Sequence, residues 1–412
     1  MLKKFIRSLS NKPHEKLVIV GGGFGGVKLA RLLAPSARYD ITLISDRDNF
    51  EYHASLCRQA TGASRLEVAV PLTDIFPEGS SVTVARDKIS AIDSKLQTVT
   101  AESGRVYRYD RLVLATGVSS DYFGDQKAGG ASYGVKSLAD TERLKAHLHE
   151  RLAYAGPAGD NYVIVGGGPT GTELAGDLVA YATEIRAAHG RTGSFAVHLV
   201  ESAGRVLPNL PEDFARKISD RLELMGIVPH LGVQAETVAD QGLRLSNGEI
   251  IVTDTVIWTS GTFVNQLFKD NSLFKISNNG RVAVDDKLMA APNIFVIGDS
   301  ADTTYSGWAQ TAVYDAEFLA HNWLLDVKGG TTRRYQPPRP LTAIPLEPKW
   351  CGLAANSRRL YGNAACLIRK WHDRSLLGTV LPSEIADATW RQRQNRDETC
   401  PVCAKHMSTP RA

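Results

Sequence analysis

Short runs of four or five consecutive apolar residues, each stopped by glycine, recur along the chain and divide it into repeating units. The run LVIV (17–20) meets GGGFGG and then a helix-like stretch, VKLARLL; the run YVIV (162–165) meets GGGPTG and then TELAGDL. An uninterrupted apolar run of this length reads as a buried strand, and the glycines and spaced apolar positions behind it predict a tight turn and a helix. Residues 16–33 and 161–178 align without a gap at an offset of 145, and 103–117 and 247–261 align at an offset of 144. Each half therefore opens with strand, turn and helix, and closes with a turn, a paired strand and a further apolar strand. Residues 282–299, VAVDDKLMAAPNIFVIGD, read as another strand, loop and apolar strand ending in Gly-Asp, which returns the chain to its first half. Beyond them, 305–323 reads as a helix, 331–362 as a proline-rich link followed by strand-like sequence, and 363–397 as helical with mixed apolar and basic character.

The glycines give the halves a chemistry. Gly21, Gly23 and Gly26, with Phe24 and Gly25 between them, form G-x-G-x-x-G directly after a strand. The first glycine allows the turn, the second lets backbone approach a pyrophosphate, and the third lets the helix pack close to the strand. The helix N-terminus then faces the negative charge. Asp46, at the end of the apolar strand ITLI, is placed to bond a ribose hydroxyl. In the second half Gly166, Gly168 and Gly171 repeat the turn, with Thr170 in it, Glu201 as the corresponding acid after AVHLV, and Gly261 closing VIWTSG. A carboxylate at Glu201 disfavours a 2′-phosphate and so favours NADH over NADPH, while the nearby Arg205 argues the other way. A surface acid at a strand end is the plainer reading of Glu201. Two dinucleotide sites in one chain call for two dinucleotides, and a nicotinamide paired with a flavin gives a redox reason for both. FAD is expected in the first site, where Gly298-Asp299 aims a carboxylate at a ribitol hydroxyl and Ala115, Thr116 and Gly117 pack nearby. The plainer role for Asp299 is the N-cap of the helix that follows.

The pattern thus predicts an α/β fold with two Rossmann-like dinucleotide-binding domains, one for FAD and one for NADH, the second inserted in the first, plus a small C-terminal α+β region with amphipathic helices. The expected boundaries are a basic segment at 1–15, the FAD domain at 16–118 and 280–330, the NADH domain at 119–279, a membrane-facing or dimerisation region at 331–397, and a tail at 398–412. The 412 residues suit two or three domains, and 43% hydrophobic with 22% charged residues excludes disordered and collagen-like classes. A formal charge of +4 is too small to argue for nucleic acid. Five cysteines in so long a chain do not make a disulfide framework, so a reducing compartment is expected. There is no apolar run of about 18 residues to span a bilayer, and the basic N-terminus lacks the apolar core of a secretory signal. The chain is expected in the cytoplasm, on the cytoplasmic face of the membrane.

GGGFGG, LVLATG, GGGPTGTELAG, VIWTSG, IFVIGD and WAQTA occur in the order found in two-dinucleotide-domain flavoproteins, and over 16–365 the chain resembles a type II NADH dehydrogenase, the single-chain, non-pumping NADH:quinone oxidoreductase. The stretch Ala309-Gln310-Thr311-Ala312 is what points to the quinone-reducing branch. The resemblance implies hydride transfer from NADH to flavin N5 and then delivery of two electrons and two protons to a quinone. It implies proton handling by Glu173, in the helix after the second turn, and places Gln310 beside the flavin and the quinone. Tyr314 stands where the family has a second glutamine and is a candidate quinone contact. Thr170 and Glu173 also fit a capping box, which would leave Glu173 a merely local role.

Quinones live in lipid, and the family meets the membrane through its C-terminal helices. Here Trp371, Leu376, Leu377 and Trp390 alternate with Arg369, Lys370, Arg374 and Arg391, as an interfacial helix pair requires. Leu2, Phe5, Ile6 and Leu9 form a second small stripe beside Lys3, Lys4 and Arg7. The other reading packs these faces on the protein or on a second copy in a homodimer. Cys400-Pro-Val-Cys403 with His406 has metal-ligand or redox spacing but half the usual ligands, so a solvated thiol tail is expected and no metal is assigned. Three other functions stay open: an NADH oxidase or peroxidase using Cys57, which is otherwise read as a buried inert thiol; a sulfide:quinone reductase, for which Cys351 would have only Cys57 as partner; and an NADH-sensing flavoprotein that works through partner proteins.

Overall fold

A computed structural model of the chain describes residues 14–120, 132–154, 160–239, 242–326 and 332–407. The N-terminal apolar stripe at 2–9 lies outside them. The first half runs β1 (Glu15–Val20), α1 (Phe24–Leu33), β2 (Tyr39–Ser45), β3 (Val82–Arg86), a three-stranded antiparallel meander, and β4 (Arg111–Leu114). The second half runs β5 (Ser132–Gly134), α2 (Leu138–Ala153), β6 (Asn161–Val165), α3 (Pro169–Ala188), β7 (Ala196–Glu201), α4 (Glu212–Leu224), β8 (Ile227–Leu231), a second meander, and β9 (Val256–Trp258). The chain then returns through β10 (Met289–Ala291), β11 (Ile294–Val296) and α5 (Ala309–Asp326). It ends in β12 (Thr342–Glu347), β13 (Trp350–Ala355), β14 (Arg358–Gly362) and the helices α6 (Asn363–Val380), α7 (Ser383–Arg391) and α8 (Pro401–Met407).

Two sheets result. The first has the order β10-β11-β4-β1-β2-β3, parallel except at β10, and the second the order β5-β9-β6-β7-β8, parallel throughout. Every strand of the second lies in sequence between β4 and β10, so one dinucleotide fold is inserted in the other, as expected. The apolar runs explain why β1 and β6 are central. Leu17 and Ile19 belong to one core and Val18 and Val20 to another; likewise Tyr162 and Ile164 face one core and Val163 and Val165 a second. Strands covered on both faces cannot alternate apolar with polar residues.

The C-terminal sheet, β12-β13-β14, is antiparallel and packs on α3. The contact needs Gly176, because a Cβ there would stand 2.5 Å from the Leu346 carbonyl oxygen. Several expectations for this region are corrected. Cys351 is paired with Cys366 in a disulfide that staples β13 to the first turn of α6, where no disulfide was expected. Residues 401–407 form a helix against α3 with Cys403 fully buried, so this segment is not a solvated tail. Arg369 and Leu377 point into the protein, and Trp390 packs under the Arg393 guanidinium at 4.6 Å. The end of α6 is held on α1, whose Lys28 Nζ and Arg31 donate to the carbonyls of Thr379 and Val380 at 3.0 and 2.6 Å. What remains outward on α6 is Leu367, Ile368 and Trp371 beside Lys370 and Arg374. No helix among the described residues is long and apolar enough to cross a membrane.

The third glycine of each turn carries a packing role that can be measured. A Cβ on Gly171 would lie 1.9 Å from the Gly166 carbonyl oxygen, whereas one on Gly168 would meet nothing within 4 Å. Gly171→Ala is expected to lower stability by about 2 kcal/mol in urea unfolding, and Gly168→Ala to leave it nearly unchanged while weakening dinucleotide binding. Equal losses from the two would remove the distinction.

Candidate functional site

Both glycine turns open into one cavity of about 890 Å³ at the C-terminal ends of the two parallel sheets. This is where doubly wound folds bind ligands. The turns are built alike: Gly21 and Gly166 have φ of +119° and +115°, and each donates its N–H to the carbonyl of the penultimate residue of the neighbouring strand, Ile44 or Val200, at 2.8 Å. The helices behind them, α1 and α3, are N-capped by Gly23 and Gly168, and neither carries a side-chain cap. A Cβ at either N-cap would meet open space. Two helix N-termini with free amides and open cradles suit the pyrophosphates of two dinucleotides. Gly26, Gly171 and Gly261 are not in the cavity wall, whereas Gly21, Gly23, Gly25, Gly166, Gly168 and Thr170 are.

The acids differ between the copies. Because Val20 pairs with Ile44 and Val165 with Val200, Glu201 occupies the position of Ser45, not that of Asp46. Asp46 is exposed at the rim of the cavity. Glu201 tucks under its own turn, accepting from the N–H of Gly167 at 2.7 Å and of Ala203 at 2.8 Å. It is more than a surface acid, since it holds the turn closed from below. Arg205 is spent on the carbonyls of Leu207, Pro208 and Leu210 at 2.6 to 2.9 Å and is not free to meet a phosphate.

Deeper in the cavity Glu173 enters from the first turns of α3. The capping box is not formed: Gly168 is the N-cap, Pro169 follows, and Glu173 Oε1 has no hydrogen-bond partner among the described residues. Its other oxygen lies 3.5 Å from Arg369 of α6. Burial raises the Glu173 pKa against the pull of Arg369. One turn on, Asp177 is pushed up to about 7 by burial and by Glu173. Arg369 also meets Asp373 at 2.8 Å, Asp373 meets Arg393 at 3.1 Å, Arg393 meets Glu67 at 3.6 Å, and Glu67 meets Arg58 at 3.0 Å. The sequence-level reading missed this alternating series. Its contacts between Glu173 and Arg369 and between Arg393 and Glu67 join residues from distant parts of the chain, and its one local signal is Arg369 and Asp373 at helical spacing.

On the opposite wall, Ala309 and Gln310 line the cavity with Ala115, Thr116, Gly117, Phe24, Gly298 and Asp299. The Gln310 amide is clamped at both ends, donating to the Leu341 carbonyl and accepting from the Leu341 N–H, each at 3.0 Å. Asp299 sits in a short 3-10 turn, and α5 starts ten residues later, so Asp299 is not its N-cap. Tyr314 is not in the cavity wall, and its hydroxyl accepts from the Gln336 N–H at 3.3 Å. Asp315, which nothing in the sequence singled out, accepts from the Gly298 N–H at 2.9 Å and from the Tyr335 hydroxyl at 2.6 Å, and burial pushes its pKa up to about 7.

Residues 15–316 match the model of the pyridine nucleotide-disulphide oxidoreductases. The chain belongs to this family. Among curated relatives, the type II NADH:quinone oxidoreductase Ndh of Mycobacterium tuberculosis is 28% identical over 354 residues, 79% of this chain and 75% of that one. NdhA of the same organism, also described as a type II NADH:quinone oxidoreductase, is 31% identical over 331 residues, 74% and 70% of the two chains. The solved structure of NDH2 from Plasmodium falciparum in complex with NADH has the same fold, with a TM-score of 0.79 over 92% of this chain and 98% of that one at 15% identity.

The disulphide chemistry in the description of the pyridine nucleotide-disulphide oxidoreductases has no counterpart in this cavity. Cys57 is the one cysteine among its lining residues, and Cys351 and Cys366 are paired outside it. Cys57 is buried with its Sγ 3.7 Å from the Thr170 carbonyl oxygen. Burial, then Glu173 and Asp177, hold its pKa well above the usual thiol value. A reactive cysteine needs the reverse, a stabilised thiolate.

Proton occupancy in this cluster should show in stability. Asp177 keeps its proton up to about pH 7 in the folded protein, against 3.8 for a free aspartate, so the folded state binds more protons in that window and loses stability as pH rises through it. Asp177→Asn is expected to flatten that decline in melting temperature. An unchanged slope would place the protonation elsewhere.

Proposed function

We propose that the chain is an FAD-dependent, non-pumping NADH:quinone oxidoreductase that works against the cytoplasmic face of a membrane. The observation that carries this reading is the meeting of two glycine turns, from two dinucleotide folds, in one cavity that also holds a buried carboxylate. A flavin bound at the first turn would supply the two-electron redox chemistry between NADH and a quinone.

The chain's own residues do the binding, orienting and proton work. The amides at the start of α1, with Asp46 and Asp299, hold FAD, and those at the start of α3, with Thr170, hold NADH. With Glu201 beneath the second turn and Arg205 locked in its loop, nothing there welcomes a 2′-phosphate. Glu173 holds a proton at a carboxyl oxygen with no partner of its own, and Arg369 beneath it restrains how far burial raises its pKa. Gln310 fixes the wall formed by Leu341, while Pro340, Leu341 and Leu376 supply an apolar side suited to a quinone ring. Tyr314 has no part in it.

The outward face of α6 joins the cavity to lipid. Leu367, Ile368 and Trp371 are exposed, Trp371 at 72%, and Lys370 and Arg374 flank them. Apolar side chains ringed by cations suit the headgroup region of an anionic bilayer. Leu376, on the same helix, lines the cavity.

Anaerobic NADH oxidation by the purified yellow protein should require a short-chain quinone and survive Cys57→Ser. Turnover with oxygen or peroxide only, abolished by that substitution, would assign the protein to the oxidases and peroxidases. Slow turnover with every acceptor, with NADH-dependent changes in partners, would favour a sensor. Glu173→Gln is expected to slow the quinone half-reaction by roughly 100-fold or more and to spare bleaching of the flavin by NADH. Replacing Leu367, Ile368 and Trp371 by serine should abolish binding to anionic vesicles with soluble turnover retained. Vesicle binding that persists while a dimer dissociates would make this face a contact between two copies.

A further inference from the structure

The Cys400-Pro-Val-Cys403 motif stands apart from the cavity and has no part in the chemistry above. Proximity in sequence pointed to His406 as its companion, a residue whose side chain lies outside the described part of the structure. The fold supplies two other histidines, His149 on α2 and His189 at the C-terminal cap of α3. Both Nε2 atoms lie 3.3 Å from Cys403 Sγ, and His189 Nε2 lies 3.6 Å from Cys400 Sγ. One ligand atom from each of the four residues falls within 4.8 Å of all the others. Cys403 is fully buried and the other three are half-buried.

Hydrogen bonding is a poor reason for this arrangement. Thiols are weak donors, and each neutral imidazole presents a lone pair on one of its nitrogens. Four soft ligand atoms converging on one point are what a small cation gathers. Zn–S bonds near 2.3 Å and Zn–N bonds near 2.0 Å at tetrahedral angles put neighbouring ligand atoms roughly 3.3 to 3.8 Å apart. The three sulfur–nitrogen distances above fall in that range. A thiolate and imidazole set excludes magnesium and calcium, which take oxygen ligands. A two-iron cluster would separate the cysteine pair from the histidine pair by its own width, whereas here both histidines crowd one cysteine.

We propose that His149, His189, Cys400 and Cys403 bind one Zn²⁺ per chain in a closed, tetrahedral structural site. Four protein ligands leave no position for substrate. What the ion fastens is the strap at 393–403. Asn395 accepts from the Ser64 N–H at 3.1 Å, Arg396 pairs with Glu184 at 2.6 Å, and Glu398 accepts from the Tyr181 hydroxyl at 3.4 Å. The strap thus crosses from the first dinucleotide fold to α3 of the second, and at its start Arg393 enters the charge series. The zinc pins its far end to α2 and α3.

The test uses the full-length holoprotein, purified under reducing conditions with Zn²⁺ in the growth medium and analysed by elemental mass spectrometry. One zinc per chain is expected, and exchange for Co²⁺ should give the thiolate charge-transfer and d–d absorption of tetrahedral cobalt. His149→Ala, His189→Ala and Cys403→Ser should each lower zinc content at least roughly tenfold, while His406→Ala and Cys57→Ser keep it. Because a ligand variant that fails to fold would lose metal for a trivial reason, the cobalt spectrum is read on the wild type, and variants are compared only where flavin content and circular dichroism are preserved. Four outcomes would overturn the proposal: no stoichiometric zinc in the reduced wild type, zinc retained after both histidines are replaced, a Cys400–Cys403 disulfide in its place, or the visible absorption of an iron–sulfur cluster.

Discussion

The arrangement rests on a row of alternating charges, Glu173, Arg369, Asp373, Arg393, Glu67 and Arg58, each within 3.6 Å of the next, with Arg393 and Arg58 half-buried and the rest buried. Glu173 comes from the second dinucleotide fold, Arg58 and Glu67 from the first, and Arg369, Asp373 and Arg393 from the C-terminal region. Such a row adds little net stability over a well-packed apolar alternative, because each charge gives up its hydration. Its weight lies in the cost of removing one of its buried members, about 3 to 5 kcal/mol for a broken buried pair. The three parts of the chain are therefore held in one relation, the one in which both glycine turns face a single cavity. The same row sets the electrostatics of that cavity. Glu173 at its inner end is pulled towards the neutral acid by burial and towards the carboxylate by Arg369.

The two folds share a backbone plan and differ in the side chains set around it. The backbone of the turns is conserved to the hydrogen bond, since Gly21 and Gly166 make the same contact at the same length. The side chains around them are not. Where the first copy carries Ser45 and leaves Asp46 at the rim, the second carries Glu201 and spends both its oxygens on backbone amides. The helix behind the first turn offers Phe24 to the cavity and Val27 to an apolar core, while the matching helix brings Glu173 to the cavity wall. The first turn's helix thus meets the cavity with an aromatic ring and the second's with a buried carboxylate.

What was legible in the sequence is what local physics dictates. LVIV and YVIV announced buried strands because a strand covered on both faces leaves no alternation, and the glycine spacing announced the turns because the third glycine must let the helix pass the strand at contact distance. The inserted order of the folds followed from the offset alignment. Contacts between distant segments were not legible. Arg369 read as a membrane-facing cation because its neighbours Lys370, Trp371 and Arg374 are outward, yet a helix turns about 100° per residue and carries it inside. Tyr314 was placed by analogy with a glutamine at its position, but Tyr335 and Gln336, reaching back from beyond the helix, take it as their neighbour. Asp315 and the Cys351–Cys366 pair failed to register for the same reason, their partners being distant or lying in a different element.

The C-terminal region completes the cavity, since Leu341, Ala343, Arg369, His372, Asp373 and Leu376 all line it. A pair of dinucleotide folds without it would leave Glu173 open to water from the α6 side, and a hydrated glutamate titrates near its ordinary value and holds no proton at neutral pH. Closing that side with an arginine sets two influences against each other: burial raises the Glu173 pKa and the fixed cation lowers it. A group that must give up a proton and recover it needs both forms accessible. In this chain that balance depends on where α6 lies, and α6 is placed by the Cys351–Cys366 disulfide at its start, by Lys28 and Arg31 at its far end, and by Arg393 through Asp373. The pKa of Glu173 is thus set by how the C-terminal region docks as much as by the helix that carries the residue.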